Sequence, residues 1–67
     1  MNSYNIYEEE HYSTILYHVI ARDEEQVKEL ALESNIDLDG LTIDLVRQNV
    51  KDELGRPYPA KIEDARV

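Results

Sequence analysis

Hydrophobic and polar positions alternate with a period of two over several stretches of this chain, and with a period near 3.6 over one. The densest run of β-branched and aromatic residues is Tyr12 to Ala21, which includes Thr14, Ile15, Tyr17, Val19 and Ile20, the residue types that suit a pleated, packed surface. Alternation assigns Ile15, Tyr17, Val19 and Ala21 to one face and Leu16, His18 and Ile20 to the other. Both faces are substantially apolar, which predicts a central strand. Upstream, Asn2 to Glu8 carries Tyr4 and Ile6 in alternation, and the cluster Glu8-Glu9-Glu10-His11 separates it from the central strand. A hairpin is expected, although its connection lacks an Asn-Gly or Asp-Gly turn.

Asp23-Glu24-Glu25-Gln26 reads as a helix start, with Asp23 as N-cap and Gln26 placed to complete a variant capping box. Acids in this first turn also suit the positive end of the helix dipole. Val27, Leu30, Ala31 and Ser34 then fall at i, i+3, i+4 and i+7, the spacing of an amphipathic helix of about three turns. Asn35 tolerates the left-handed backbone that ends helices, and Ile36 is placed to pack back across the end. Asp37-Leu38-Asp39-Gly40 supplies a turn, after which Leu41, Ile43 and Leu45 alternate with Thr42, Asp44 and Val46 as a further strand.

Residues 49–67 read as an irregular C-terminal segment. Asn49 to Gly55 suits either one capped helical turn or an arm of an irregular hairpin, Pro57 and Pro59 hold the next stretch extended or turning, and Ala60 to Val67 offers a short edge strand. The expected fold is α+β: one small domain over residues 1–67, with a three- to four-stranded antiparallel or mixed sheet and one amphipathic helix on one face. The element order is β-β-α-β, with a final β optional. If the central and third strands lie side by side and parallel, the helix between them crosses over in the right-handed sense.

One helix covers only one sheet face. The other face then keeps apolar side chains that soluble monomers rarely leave exposed as a contiguous patch. A second copy or another partner is the expected cover, with Tyr4, Ile6, Tyr17 and His18 as the expected oligomer interface; the alternative is that the C-terminal segment folds back over the sheet.

Composition narrows the function classes. Sixty-seven residues hold 15 acids against 7 bases, a net charge of −8, and no cysteine. A core this small leaves little surplus over chain ordering, so stability is expected to be marginal or shared. Absent cysteine, there is neither a disulfide framework nor a thiolate zinc site. An isoelectric point near 4.5 predicts repulsion from phosphate backbones and anionic membranes, so direct nucleic-acid and membrane binding are not expected. The first residues, Met1 to Asn5, lack the basic and apolar segments of a signal peptide, and the expectation is a cytoplasmic protein.

Enzyme signals are weak. With only Gly40 and Gly55 there is no glycine-rich phosphate loop or dinucleotide fingerprint, and no nucleophile elbow or paired-histidine helix is present. His11 and His18 match no metal-ligand spacing; exposure for His11 and sheet packing for His18 are the plain readings. No catalytic residue, metal ligand or cofactor is assigned.

The informative feature is where the charge lies. Residues 1–46 hold 11 acids and only Arg22 and Lys28, a net of −9, whereas residues 47–67 hold 4 acids and 5 bases, a net of +1. Glu25, Glu29 and Glu33 recur at i, i+4 and i+8 opposite the apolar stripe, about 6 Å of helix rise apart, and each like-charged pair costs a few tenths of a kcal/mol. Glu8, Glu9, Glu10, Asp37, Asp39 and Asp44 add charge at loops and strands, and the helical angle of Leu32 places it on the outer face among Lys28, Glu25 and Glu29. The plain reading is a solvated, solubilising face. The functional reading is an anionic surface for a basic protein partner, a nuclease or DNA-binding protein, because the carboxylate spacing approximates that of phosphates along a strand. All five aromatics are tyrosines, Tyr4, Tyr7, Tyr12, Tyr17 and Tyr58, a type favoured at interfaces. In small size, strong negative charge and absence of a catalytic constellation the chain resembles phage-encoded inhibitors of host nucleases and restriction systems; the likeness is compositional and carries over no residue. The expected function is a small acidic non-enzymatic protein-binding module of that inhibitor type, the alternative being a homo-oligomer, a homodimer in its simplest form, whose acidity only solubilises it.

Overall fold

A computed structural model describes residues 1–8 and 14–66 of the protein. The elements run β1 (Asn2–Glu8), β2 (Ile15–Ala21), α1 (Glu24–Glu33), β3 (Leu41–Arg47) and β4 (Lys61–Asp64). They form one four-stranded antiparallel sheet in the order β3-β1-β2-β4, which is the α+β fold with a final strand. Of the predicted central strand, Tyr12 and Ser13 lie outside the described residues, as does most of the connection between the first two strands. No helix among the described residues is long and apolar enough to cross a membrane.

The pairing explains which faces are buried. Tyr4 sits opposite Val19 and Leu45, and Ile6 opposite Tyr17 and Ile43, while Val19 also faces Ile62 of β4. These positions share one sheet face, and α1 lies on it, packed over β2 and β4. Tyr4, Ile6, Val19, Ala21 and Val27 are buried there together, with Leu30, Leu38, Leu41, Ile43 and Ile62 packed half-buried around them. Ile6, Val19 and Val27 are fully enclosed, each contributing on the order of 1.5–3 kcal/mol by leaving water.

The helix forms as its sequence predicts. The Asp23 carboxylate accepts the Gln26 amide at 2.9 Å, and the Gln26 side-chain oxygen accepts the Arg22 amide, one residue before the N-cap. At the far end Asn35 has φ 57°, with Asn35 N–H donating to Leu32 and Ile36 N–H to Ala31 at 2.8 Å. This is the Schellman closure that a left-handed residue permits. The Asp37 carboxylate accepts the Asp39 amide at 2.9 Å, and Gly40 at φ 76° closes the turn into β3.

Two expectations are corrected and one open choice is resolved. The central and third strands are not neighbours: β1 lies between β2 and β3 and is antiparallel to both, so the adjacent parallel arrangement does not arise. Ile15 does not share the face of Tyr17: a register shift between Ile6 and Tyr7 leaves Leu16 as the extra residue and pairs Ile15 with Tyr7, because one inserted residue reverses the alternation. The segment after β3 is an irregular hairpin and not a helical turn. Lys51 bridges Pro57, Asp52 N–H donates to Arg56 at 2.8 Å, and Gly55 turns at φ 77°. The Asp52 carboxylate fixes the loop by accepting the Leu54 and Arg56 amides, both at 2.9 Å.

Candidate functional site

Two surfaces result, one on the outer side of the helix and one on the sheet face the helix leaves uncovered. On the helix, burying Val27 and Ala31 turns Glu25, Glu29 and Glu33 outward, and all three are exposed. Leu32 stands among them with 78% of its surface accessible. It borders a shallow depression shared with Lys28, Asn35, Ile36 and Leu38. The last turn of α1 carries no basic residue, and Asp37 and Asp39 follow, exposed, where the dipole favours cations. Glu33 and these two aspartates therefore add charge where the helix least tolerates it.

The basic tail does not neutralise that face. Arg56 pairs with Asp52 at 3.3 Å, Lys61 with Glu63 at 3.1 Å and Arg66 with Asp64 at 3.0 Å, each cation bound to an acid of its own segment. Among the described residues no ion pair reaches Glu25, Glu29 or Glu33. The Arg66 guanidinium also lies 5.2 Å from the centre of the Tyr17 ring and donates to its hydroxyl at 3.0 Å. Hydrogen bonds from the Arg66 side chain and backbone hold the Asp64 carboxyl below its ordinary range, and the same contact raises Arg66. Glu8 is exposed at the end of β1; Glu9, Glu10, His11 and Tyr12 lie outside the described residues.

The uncovered sheet face carries a groove of about 480 Å³ whose lining includes His18, Ile20, Val46, Arg47, Tyr58 and Lys61. Val50 lines it as well, so the hairpin after β3 borders this face. Val50 N–H is tied to the Met1 carbonyl at 2.8 Å, and Asn49 N–H to the Asn2 side chain at 3.2 Å. His18 is exposed here and its Nδ1 meets the Asn5 side-chain oxygen at 2.8 Å.

The four residues expected at an oligomer interface separate. Tyr4 and Ile6 are 6% and 0% exposed; α1 covers their face, so they serve the protomer's own core and offer no outer surface. Tyr17 is half-buried against that core with its hydroxyl held by Arg66, and only His18 faces the uncovered side. The groove's cations, Arg47 and Lys61, were not singled out in the sequence. Their distance from Ser3 and His18 along the chain hides the arrangement, and the prolines after Gly55 are the one local sign that the segment turns back.

Among the described residues no group of three or more histidine, aspartate or glutamate side chains is placed to hold a metal ion. No family model matches the chain, and neither a curated protein nor a solved structure matches it.

Proposed function

We propose that this chain is a small, acidic, non-enzymatic protein-binding module whose anionic helix face engages a basic protein. In its sharpest form the partner is a nucleic-acid-handling enzyme, blocked because Glu25, Glu29 and Glu33 occupy the groove that otherwise takes phosphates, in the manner of a phage-type inhibitor. The observation that supports this reading is that three of the five tail cations pair with acids of their own segment and that no ion pair among the described residues reaches the glutamate ladder. Like charges at i, i+4 spacing, with Glu33 in a last turn that lacks bases, cost helix stability. A face maintained against that cost, with an exposed leucine beside it, has the make-up of charge next to an apolar contact.

The test is capture of basic proteins from a host lysate by the wild-type chain and by the triple variant Glu25→Lys/Glu29→Lys/Glu33→Lys, repeated across salt concentration and with duplex DNA as competitor. The proposal expects one partner that is released by salt, displaced by DNA and lost in the variant, because contacts made to phosphate-binding cations weaken steeply with ionic strength. Binding that the triple reversal leaves intact overturns it.

A further inference from the structure

The two edges of the sheet are built differently. β4 is four residues long and presents the charged Lys61 and Glu63, devices that blunt an edge against pairing. β3 is seven residues long, and in its second half Leu45 and Val46 are 45% and 48% exposed. The helix lies over β2 and β4, and Leu45 is not part of the core that it covers. An edge of this length, with apolar side chains and no covering element among the described residues, is a template for another strand.

Charge says which strand fits. Leu45 lies opposite Tyr4, and the next pair is Arg47 with Ser3, so Val46 is an extra residue in a bulge. The bulge brings Arg47 onto the face of Asp44, which lies opposite Asn5. Among the described residues neither Asp44 nor Arg47 has an ion-pair partner. If a second β3 is laid antiparallel with Leu45 on the two-fold axis, skipping Val46 places Asp44 of each copy opposite Arg47 of the other. Both opposite-charge pairs form at once, on the same face, flanking a Leu45–Leu45 contact on the other. Centring the axis on Asp44 instead sets two aspartates against each other, which is unfavourable.

We propose that this protein forms a two-fold symmetric dimer by antiparallel pairing of β3, centred on Leu45 and held in register by two reciprocal Asp44–Arg47 pairs, giving a continuous eight-stranded sheet. The interface uses no residue of the glutamate ladder and is independent of the partner proposed for the helix.

Sedimentation equilibrium across protein concentration tests it. The wild type is expected to be dimeric, Leu45→Lys monomeric with unchanged circular dichroism. Asp44→Arg or Arg47→Asp alone weakens association roughly tenfold or more, since each replaces two attractive pairs by two repulsive ones, and Asp44→Arg/Arg47→Asp together restores it. Because the chain has no cysteine, Leu45→Cys provides a second readout that does not depend on Leu45→Lys folding. Mild oxidation is expected to cross-link it, side chains directly opposite in an antiparallel pair being within reach of a disulfide, whereas Leu32→Cys on the helix is not cross-linked. A wild-type monomer at high concentration, a charge swap that fails to restore the dimer, or equal cross-linking through Leu32→Cys overturns the proposal.

Discussion

The Arg66 guanidinium rests against the Tyr17 ring and bonds its hydroxyl while gripping Asp64, so a residue near the end of the chain is anchored on a central strand 49 positions earlier. Beside it the Ala65 amide donates to the Leu16 carbonyl at 2.8 Å. β4 is thereby secured at its open end by both backbone and side chain.

This contact predicts a pH dependence. The Asp64 carboxyl is held below its ordinary value, first by the Arg66 side-chain hydrogen bond and then by the Arg66 amide. A carboxylate whose folded pKa is depressed contributes stability above its unfolded pKa and loses it as pH falls through the lower, folded value. The wild type should therefore lose stability relative to Asp64→Asn on acidification below the ordinary aspartate range, with no divergence near neutrality. Denaturation midpoints for both proteins across acidic pH measure it; parallel curves would refute the linkage. The group is solvent-exposed, so the divergence is small.

Removing the N-cap exposes helix donors. Asp23→Ala abolishes the bond to Gln26 N–H and is expected to cost about 0.5–2 kcal/mol. In a domain of this size that is a large share of total stability. Urea denaturation followed by circular dichroism should show a lower midpoint with an unchanged slope, and Asp23→Ser should recover most of the loss.

The left-handed Asn35 gives an opposed pair of outcomes. Asn35→Ala places a Cβ-bearing residue without Asn's local hydrogen bonding at φ 57°, which costs about 1–2 kcal/mol. Asn35→Gly fits the same backbone without steric cost and should equal or exceed the wild type. The same denaturation experiment separates them, and equal losses for both variants would count against the Schellman closure.

Reversing the middle of the ladder should stabilise the helix while removing binding. Glu29→Lys converts two repulsive i, i+4 pairs, with Glu25 and Glu33, into attractive ones, a gain of about 1 kcal/mol at low ionic strength that fades as salt screens it. A thermal midpoint that rises together with loss of partner capture would mark the glutamates as retained against stability. A midpoint that falls would show that the ladder is structural.

Much of the architecture was legible because its causes are local. Asp23 and Gln26 lie within one helical turn, Asn35 needs only its own backbone freedom, and Val27, Leu30 and Ala31 identify a buried stripe by spacing alone. The exposed ladder follows from that stripe by geometry. The tail was less readable: Asp52 accepts amides from Leu54 and Arg56, and the residue types there suit a helical turn as well as a hairpin. The bulges at Leu16 and Val46 have no sequence signature, since each is defined only against the opposing strand.

By itself, then, the sequence determined three strands and left the fourth optional, and it determined the helix with both its ends and the division of charge between an acidic first part and a slightly basic tail. Only the tertiary structure decided that β1 runs between β2 and β3, that Tyr4 and Ile6 are interior, and that Arg66 meets Tyr17. Caps and periodicity arise from residues a few positions apart, whose geometry the backbone fixes. Strand order and register depend on groups brought together from separate parts of the chain, as Tyr4 is with Leu45, and such meetings are selected by the packing of the whole sheet.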